Sequence, residues 1–289
     1  MMEQTGWPNG AKCAFAFGWD LDGDTIWNHK VNRLPGGQDF IRSRSVGMYG
    51  PLKAAYRLLD IMAKYNLKST WFIPAVNVER FPDLACMIRD AGHEIAHHGY
   101  DHDSFYGNTV SEQLTTIQKS QELFTNILGK PAVGFRPTGD LLPETELTLL
   151  QDGHSLYMSK DVGEESCRFI EINGMKTQAV HVPCRVELDD YLQLVYNPYP
   201  PVPSGLPRIA SYEAVLTGFI REIEGAARFG NAVSTAFHPQ VSGTPGKSVI
   251  LDKLCEYLVS NPDVWCATCE EIATYWKEER RDRDAATST

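Results

Sequence analysis

Short apolar runs alternate with amphipathic stretches along most of this chain of 289 residues. The apolar runs have the length and residue types of buried strands, at residues 12–17, 69–73, 94–97, 133–135, 179–182, 232–237 and 263–266. The segments between them have helical periodicity, at residues 52–65, 81–91, 111–128, 144–151, 211–229, 247–260 and 270–280. This alternation predicts one α/β domain over residues 1–289, a distorted (β/α) barrel of about seven parallel strands.

Two segments interrupt the alternation. Residues 24–50 contain Pro35-Gly36-Gly37, and residues 192–208 are rich in proline. We expect both to be loop insertions of the kind that form lids or subunit contacts. The polar residues 280–289 are expected to form a frayed tail.

The composition narrows the class of partner. A hydrophobic content of 43% is ordinary for a globular protein, and the net charge of −10 leaves no basic footprint for nucleic acid or an anionic membrane. The N-terminus has no signal-peptide pattern and no apolar run has transmembrane length, so we expect a cytoplasmic protein. The seven cysteines are read as small buried hydrophobes, because the Cys266-Ala267-Thr268-Cys269 motif has no second pair to complete a zinc site.

The third apolar run ends in three histidines, His97, His98 and His102. Histidine is the commonest protein ligand for zinc-like ions, and two imidazoles four residues apart can reach one ion. This cluster indicates a metal site if the fold brings a carboxylate to it.

A carboxylate is available after the first strand, where Asp20, Asp22 and Asp24 alternate. If the strand continues, the three side chains point the same way, and burying them without a partner is costly. A solvated turn is the alternative. An EF-hand loop is disfavoured because its final acidic residue and flanking helices are missing. Together with the histidines, one aspartate fits a site with two histidines, one carboxylate and open positions for water.

The candidate groups follow the carboxyl ends of different predicted strands. Arg136 comes after the fourth strand and His238 after the sixth, as the acids and histidines do after the first and third. In a barrel these ends meet at one face, which carries the active site.

These motifs in this order resemble the polysaccharide deacetylase superfamily (NodB-homology, carbohydrate esterase family 4) over residues 12–275. They are Asp-x-Asp, His-x-x-x-His, Arg-Pro and a late apolar-His-Pro. A finer resemblance is to the branch of cyclic-imide hydrolases, allantoinase-like proteins and intracellular peptidoglycan-deacetylase-like proteins. It rests on four segments, SVGMYG at 45–50, AGHEI at 91–95, ELDDY at 187–191 and FHPQVSG at 237–243.

The resemblance implies a role for each matching residue. It implies Asp20 as general base, His238 as general acid, Arg136 as the partner of the base, and Asp22, His98 and His102 as metal ligands. It also implies substrate-pocket positions for Trp19, Tyr49, Asp189 and Asp190, although a solvated turn also suits the two aspartates.

Some residues depart from the family pattern. Thr138-Gly139-Asp140 stand where the family has a proline and an aromatic residue, which alters the pocket wall. His97 has no family role and is read as a core or supporting histidine. Asp24 is read as a loop carboxylate that accepts backbone hydrogen bonds.

The resemblance implies a metal-dependent hydrolase of non-peptide carbon–nitrogen bonds. Zn²⁺ is the expected ion, with Co²⁺, Mn²⁺ or Ni²⁺ as alternatives. The expected substrate is a small cyclic amide, imide or ureide, with N-acetylated sugars or peptidoglycan fragments as the alternative. A non-catalytic binding member of the fold and a structural metal site are readings of other classes. By analogy with the branch we expect a homo-oligomer, in the form of a tetramer.

Overall fold

The computed structural model describes residues 6–39, 41–102, 105–151, 155–160, 163–195 and 210–287. Its strands are β1 (Cys13–Asp20), β2 (Ser69–Ile73), β3 (Glu94–His97), β4 (Gly134–Phe135), β5 (Tyr157–Met158), β6 (Arg168–Ile172), β7 (Met175–His181), β8 (Cys184–Asp189), β9 (Ala232–Ala236) and β10 (Val264–Cys266).

The helices alternate with these strands. They are α1 (Thr25–Val31), α2 (Ile41–Tyr49), α3 (Ala55–Lys64), α4 (Ala75–Arg80), α5 (Pro82–Asp90), α6 (Val110–Leu128), α7 (Pro143–Gln151), α8 (Asp190–Leu194), α9 (Tyr212–Phe229), α10 (Pro239–Ser242), α11 (Pro245–Ser260) and α12 (Cys269–Thr287). Gly50–Ala54 forms a π-helical turn between α2 and α3, and Pro8–Gly10 and Gly37–Asp39 form short 3₁₀ turns.

The strands form one sheet that curls into a distorted barrel, as the sequence predicts. On one side of β1 follow β2, β3, β4, β5 and β7, and on the other side follow β9 and β8. Only two residues separate β7 from β8. The Val182 amide donates to Met158 O in β5, whereas Pro183 O accepts from Ser234 N in β9. The bent β7–β8 segment therefore joins the two edges and gives seven strand positions around the barrel.

Alternation along β1 separates the barrel interior from the outer core. Phe15, Phe17 and Trp19 pack outward against the helices, whereas Ala14 and Ala16 belong to the inner core. Asp20 shares the inward register of the alanines, so the period of two aims its carboxylate into the barrel. Gly18 has the same register, and a Cβ there would lie 2.3 Å from Thr235 O, so no larger residue fits.

The side chain of Trp19 points away from the barrel interior, contrary to its predicted place in the substrate pocket. Its side chain is fully buried in the outer core, where its ring lies parallel to Phe17 with 5.8 Å between centroids. Trp71 and Phe237 cover its other sides. Trp19 therefore does not line a substrate pocket.

Two long helices begin and end at residues that suit those positions. Thr109 and Glu112 form a capping box at the start of α6, and Gly129 ends the helix with a φ of 81°. Ser211 caps the start of α9, and Gly230 ends it with a φ of 76°. These caps fix where the surrounding helical layer starts and stops.

Several local predictions differ from the structure. The region 24–50 folds largely into α1 and α2 rather than a loop, and α12 continues to Thr287 through most of the expected tail. The predicted strand at 263–266 pairs only with the first half of β1, beside the barrel. Most of the proline-rich insertion lies outside the described residues. Among the helices of the described ranges, none is both long and apolar enough to cross a membrane.

Candidate active site

The carboxyl end of β1 places two aspartates at the mouth of the barrel. The Asp20 amide donates to Phe237 O beyond β9, and the Leu21 amide donates to Phe72 O in β2. The chain then turns at Asp22, whose carbonyl accepts from the amide and the hydroxyl of Thr25. Both carboxylates are thereby fixed by backbone hydrogen bonds on either side.

His98 and His102 follow the carboxyl end of β3. The Nδ1 atom of His98 lies 2.7 Å from Arg136 O, and a carbonyl can only accept, so Nδ1 carries the proton and Nε2 is free to act as a ligand. That Nε2 lies 3.4 Å from Asp22 Oδ1, and His102 Nε2 lies 3.9 Å from the same oxygen.

These three residues fit a divalent cation. Their candidate donor atoms all lie within 4.8 Å of one another. Both carboxylate oxygens of Asp22 are buried and have no hydrogen-bond partner among the described residues. Burial alone would raise the pKa of Asp22, but His102, His98 and His238 lower it to about 2. A buried charged carboxylate without internal donors requires a cation, and two imidazoles with one carboxylate are a donor set that zinc-like ions prefer.

His238 follows β9 and faces the same carboxylate. Its Nε2 lies 3.7 Å from Asp22 Oδ2, and its Nδ1 lies 2.8 Å from Asp190 Oδ1. Burial lowers the pKa of His238, but the hydrogen bond and charge of Asp190, with the charges of Asp189 and Asp22, raise it to about 10. The imidazole is therefore protonated near neutral pH, with Nε2–H directed toward the site.

Asp190 is fully buried behind His238. It also accepts from the backbone amides of His238 and Ser242 and from the Ser242 hydroxyl at 2.5 Å. Both carboxylate oxygens are buried and bonded to protein donors, so Asp190 has no exposed oxygen for the substrate contact that the sequence predicts. It holds and charges the imidazole instead.

Arg136 joins Asp20 in a buried ion pair. Its Nη1 donates to Asp20 Oδ1 at 2.6 Å, and its guanidinium lies 3.8 Å from the centre of the Phe72 ring. Nη2 donates to the hydroxyls of Ser159 and Ser234 and to Thr235 O. This network fixes the orientation of the Asp20 carboxylate.

Comparisons with known proteins agree with this arrangement. The family profile described as polysaccharide deacetylase matches residues 49–153, which include His98, His102 and Arg136. A peptidoglycan deacetylase of Helicobacter pylori is 28% identical over 282 residues, covering 89% of this chain and 94% of its own length. These matches confirm the predicted resemblance to the polysaccharide deacetylase family. Its members are metal-dependent hydrolases of carbon–nitrogen bonds, and this chain is an enzyme of that class.

Solved structures extend the family comparison to the whole fold. A Mycobacterium smegmatis structure described as a polysaccharide deacetylase superposes with a TM-score of 0.86 at 28% identity, covering 96% of this chain and 94% of that one. An allantoinase superposes with a TM-score of 0.80 at 17% identity, with coverage of 96% and 94%. The second likeness is one of fold alone.

The structure also shows the surroundings of four residues whose roles the sequence left open. His97 is buried in the core against Phe124 and Phe135, and burial, with the charge of His98, lowers its pKa to about 3. It is a core histidine. Asp24 forms a 2.6 Å ion pair with Arg80, rather than accepting backbone hydrogen bonds through its side chain.

Tyr49 and Asp189 have different surroundings. The Tyr49 hydroxyl accepts from Arg57 at 3.0 Å, and Arg57 also binds Gly243 O, so this phenol is tied to the helix layer. Asp189 Oδ1 accepts from the Tyr191 amide and lies 3.8 Å from His238 Nδ1. Of these two residues, Asp189 is the one beside the site.

A cavity of about 290 Å³ opens next to Arg136. Thr138-Gly139-Asp140 form one wall, and Ser159, Lys160 and Asp189 contribute polar groups to the others. The substitution of the usual proline and aromatic residue therefore changes the lining of a pocket beside the ion pair.

The sequence offered one signal for the role of Asp190, which is an acid directly after a strand. The sequence did not show that Asp190 contacts His238, because the pairing of β8 with β9 brings the two residues together.

Proposed function

We propose that this enzyme hydrolyses a non-peptide amide bond with a divalent ion held by Asp22, His98 and His102. The observation that carries the proposal is the buried Asp22 carboxylate, which lies among imidazoles and lacks an internal hydrogen-bond donor in the described structure. Zn²⁺ is the ion we expect, and Co²⁺, Mn²⁺ and Ni²⁺ are the alternatives. When bound, such an ion polarises the amide carbonyl and lowers the pKa of the attacking water.

Asp20 is the general base of the proposed reaction. It accepts a proton from the water while the water oxygen bonds to the carbonyl carbon. The ion pair with Arg136 orients the carboxylate for this step.

His238 is the general acid. Collapse of the tetrahedral intermediate breaks the carbon–nitrogen bond, and His238 Nε2–H protonates the departing nitrogen. Asp190 supports this role, because its carboxylate stabilises the protonated imidazole. The products are a carboxylic acid and the protonated leaving nitrogen, which is an amine from a simple amide, a primary amide from an imide and a urea group from a ureide. Both stay in one molecule when the substrate is a ring.

A small cyclic amide, imide or ureide is the substrate we favour. The cavity of about 290 Å³ beside Arg136 suits a compact molecule. Thr138, Ser159 and Lys160 give this cavity a partly polar lining, which suits a ring with several carbonyl and amide groups.

N-deacetylation of a sugar is the second candidate. It is favoured by the similarity to the Helicobacter pylori peptidoglycan deacetylase, which extends over 89% of this chain. In this reaction one product is acetate and the other is the free amino sugar.

Functions other than catalysis explain fewer features of the site. A non-catalytic binding protein has no need of the Arg136–Asp20 and Asp190–His238 pairs, and a structural metal site uses four closed protein ligands. The cytoplasmic location and the homo-oligomeric state stay predictions. Exposed apolar side chains support an assembly; Ile41 is 75% exposed and Leu52 56%.

The test is a substrate panel on metal-loaded protein. Hydantoin, succinimide and N-acetylglucosamine oligomers are incubated with enzyme carrying Zn²⁺, Co²⁺, Mn²⁺ or Ni²⁺. We expect ring opening, and loss of about 10²–10⁴ in rate for Asp20→Asn. Asp263→Asn, at the opposite end of β1 in an exposed pair with Lys12, is the matched control. Unchanged turnover in Asp20→Asn would refute the assignment of the base.

A further inference from the structure

Tyr191 lies against the proposed general acid. It is in the first turn of α8, where its amide donates to Asp189 Oδ1 at 2.8 Å. Its ring meets the His238 imidazole edge-on, with 5.6 Å between centroids and 62° between planes. The hydrogen bond to Asp189 therefore holds the backbone of Tyr191, and the contact with His238 holds its ring.

The Tyr191 hydroxyl makes no hydrogen bond within the described part of the chain. The oxygen is buried and has no hydrogen-bond partner among the described residues, although buried phenols usually have one. Burial and the charges of Asp189 and Asp22 raise the pKa of Tyr191, so the hydroxyl keeps its proton. A protonated donor without an acceptor among the described residues thus lies beside the proposed general acid.

We propose that Tyr191 is a further catalytic residue whose hydroxyl donates a hydrogen bond to the substrate oxygen that becomes negative when water adds to the amide carbonyl. The inference rests on the proposed function. As the water oxygen bonds to carbon, the carbonyl π electrons move to that oxygen, and a preorganised donor stabilises the charge. No proton leaves Tyr191, since the proton of water goes to Asp20 and the nitrogen receives its proton from His238.

A positioning role for the ring is the competing explanation. Tyr191→Phe separates the two, because it keeps the ring on His238 and removes only the hydroxyl. We expect kcat to fall about 10²–10³-fold with little change in KM, since the bond strengthens in the transition state. Tyr257→Phe is the matched control, because it removes a hydroxyl bonded to Asn261 on the outer helix α11. Wild-type kcat in Tyr191→Phe, with a loss only in Tyr191→Leu, would overturn the proposal.

Binding of inorganic phosphate tests the donor without turnover. Phosphate is a tetrahedral oxyanion, and we expect calorimetry on the Zn²⁺-loaded protein to show roughly tenfold weaker binding for Tyr191→Phe than for wild type. Equal binding, or no binding by the wild type, would contradict the donor role. If the wild type hydrolyses none of the panel amides but the phosphate difference is present, the proposed substrate class fails and the oxyanion site stands.

Discussion

Two buried carboxylates, at opposite ends of the barrel, have opposite surroundings. Glu94 begins β3 and accepts three hydrogen bonds, from the hydroxyls of Tyr157 and Thr70 and from the Glu270 amide. Asp22 follows β1 and accepts none within the described structure. Burial raises the pKa of Glu94 to about 7 in spite of its donors, whereas the neighbouring histidines hold the pKa of Asp22 at about 2.

The difference separates a structural carboxyl group from a functional one. At Glu94 the protein supplies all the hydrogen-bond donors. The carboxyl group links neighbouring strands to the start of α12, and its raised pKa allows it to be protonated near pH 7. Where the protein supplies imidazoles and leaves the oxygens unpaired, the charge is kept for a ligand that is not part of the chain. Variants at the two ends test this distinction.

The largest effect is expected for Asp22→Asn. The variant should lose its bound metal and its turnover, because the charged donor is replaced by a neutral amide. At a metal concentration of 100 Kd the wild type should gain about 2.7 kcal/mol in free energy of unfolding, and the variant should gain almost none. Metal analysis and denaturant unfolding with and without Zn²⁺ measure this, with Glu94→Gln as the control that keeps its metal. A fully loaded Asp22→Asn protein would contradict the ligand assignment.

An intermediate effect is expected for Asp190→Asn. This variant tests whether Asp190, which is also buried at the mouth of the barrel, acts through His238. The variant should lose about 10–100-fold in kcat, because the imidazole loses the partner that orients and charges it. His238→Gln alone should lose about 10²–10⁴. In the double variant the losses should not add, since Asp190 has no role once the imidazole is gone. Additive losses in steady-state kinetics would show an independent role for Asp190.

The smallest effect on turnover is expected for Glu94→Gln, whose consequence is for stability. The folded-state pKa of about 7 lies above the reference value of 4.5, so the folded protein binds more protons between these values. The free energy of unfolding should therefore fall as pH rises through this window, by on the order of 3 kcal/mol. The glutamine variant should lack this contribution while keeping its kcat. Parallel stability profiles for the two proteins between pH 4.5 and 8 would show that Glu94 is ionised throughout.

The motifs led to most of the candidate site because these residues lie at or just after the carboxyl end of a strand. A strand with period-two alternation fixes which side of the sheet a residue faces, and parallel strands bring their carboxyl ends to one edge. Asp20, Asp22, His98, Arg136 and His238 follow from these two rules. Trp19 failed for the same reason, because it has the opposite register to Asp20.

Three strands were not predicted from the sequence: β5, β6 and β8. β5, like the predicted β4, has only two residues, too few for periodicity. These two short strands exist because neighbouring strands supply their hydrogen bonds and side chains such as Tyr157 fill the space over Gly134. The helices in the region 24–50 were likewise hidden, since proline and glycine in its middle suggested a loop.

The amino-acid sequence by itself determined the α/β alternation, the resemblance to a family and the residue types that can hold a metal. These depend on local periodicity and on chemistry carried by single side chains. Only the tertiary structure decided that His97 turns into the core while His98 turns to Asp22, that Asp190 supports His238, and that the Tyr191 hydroxyl has no partner among the described residues. Those outcomes depend on distances between strands far apart in the chain, which packing sets and no local pattern encodes.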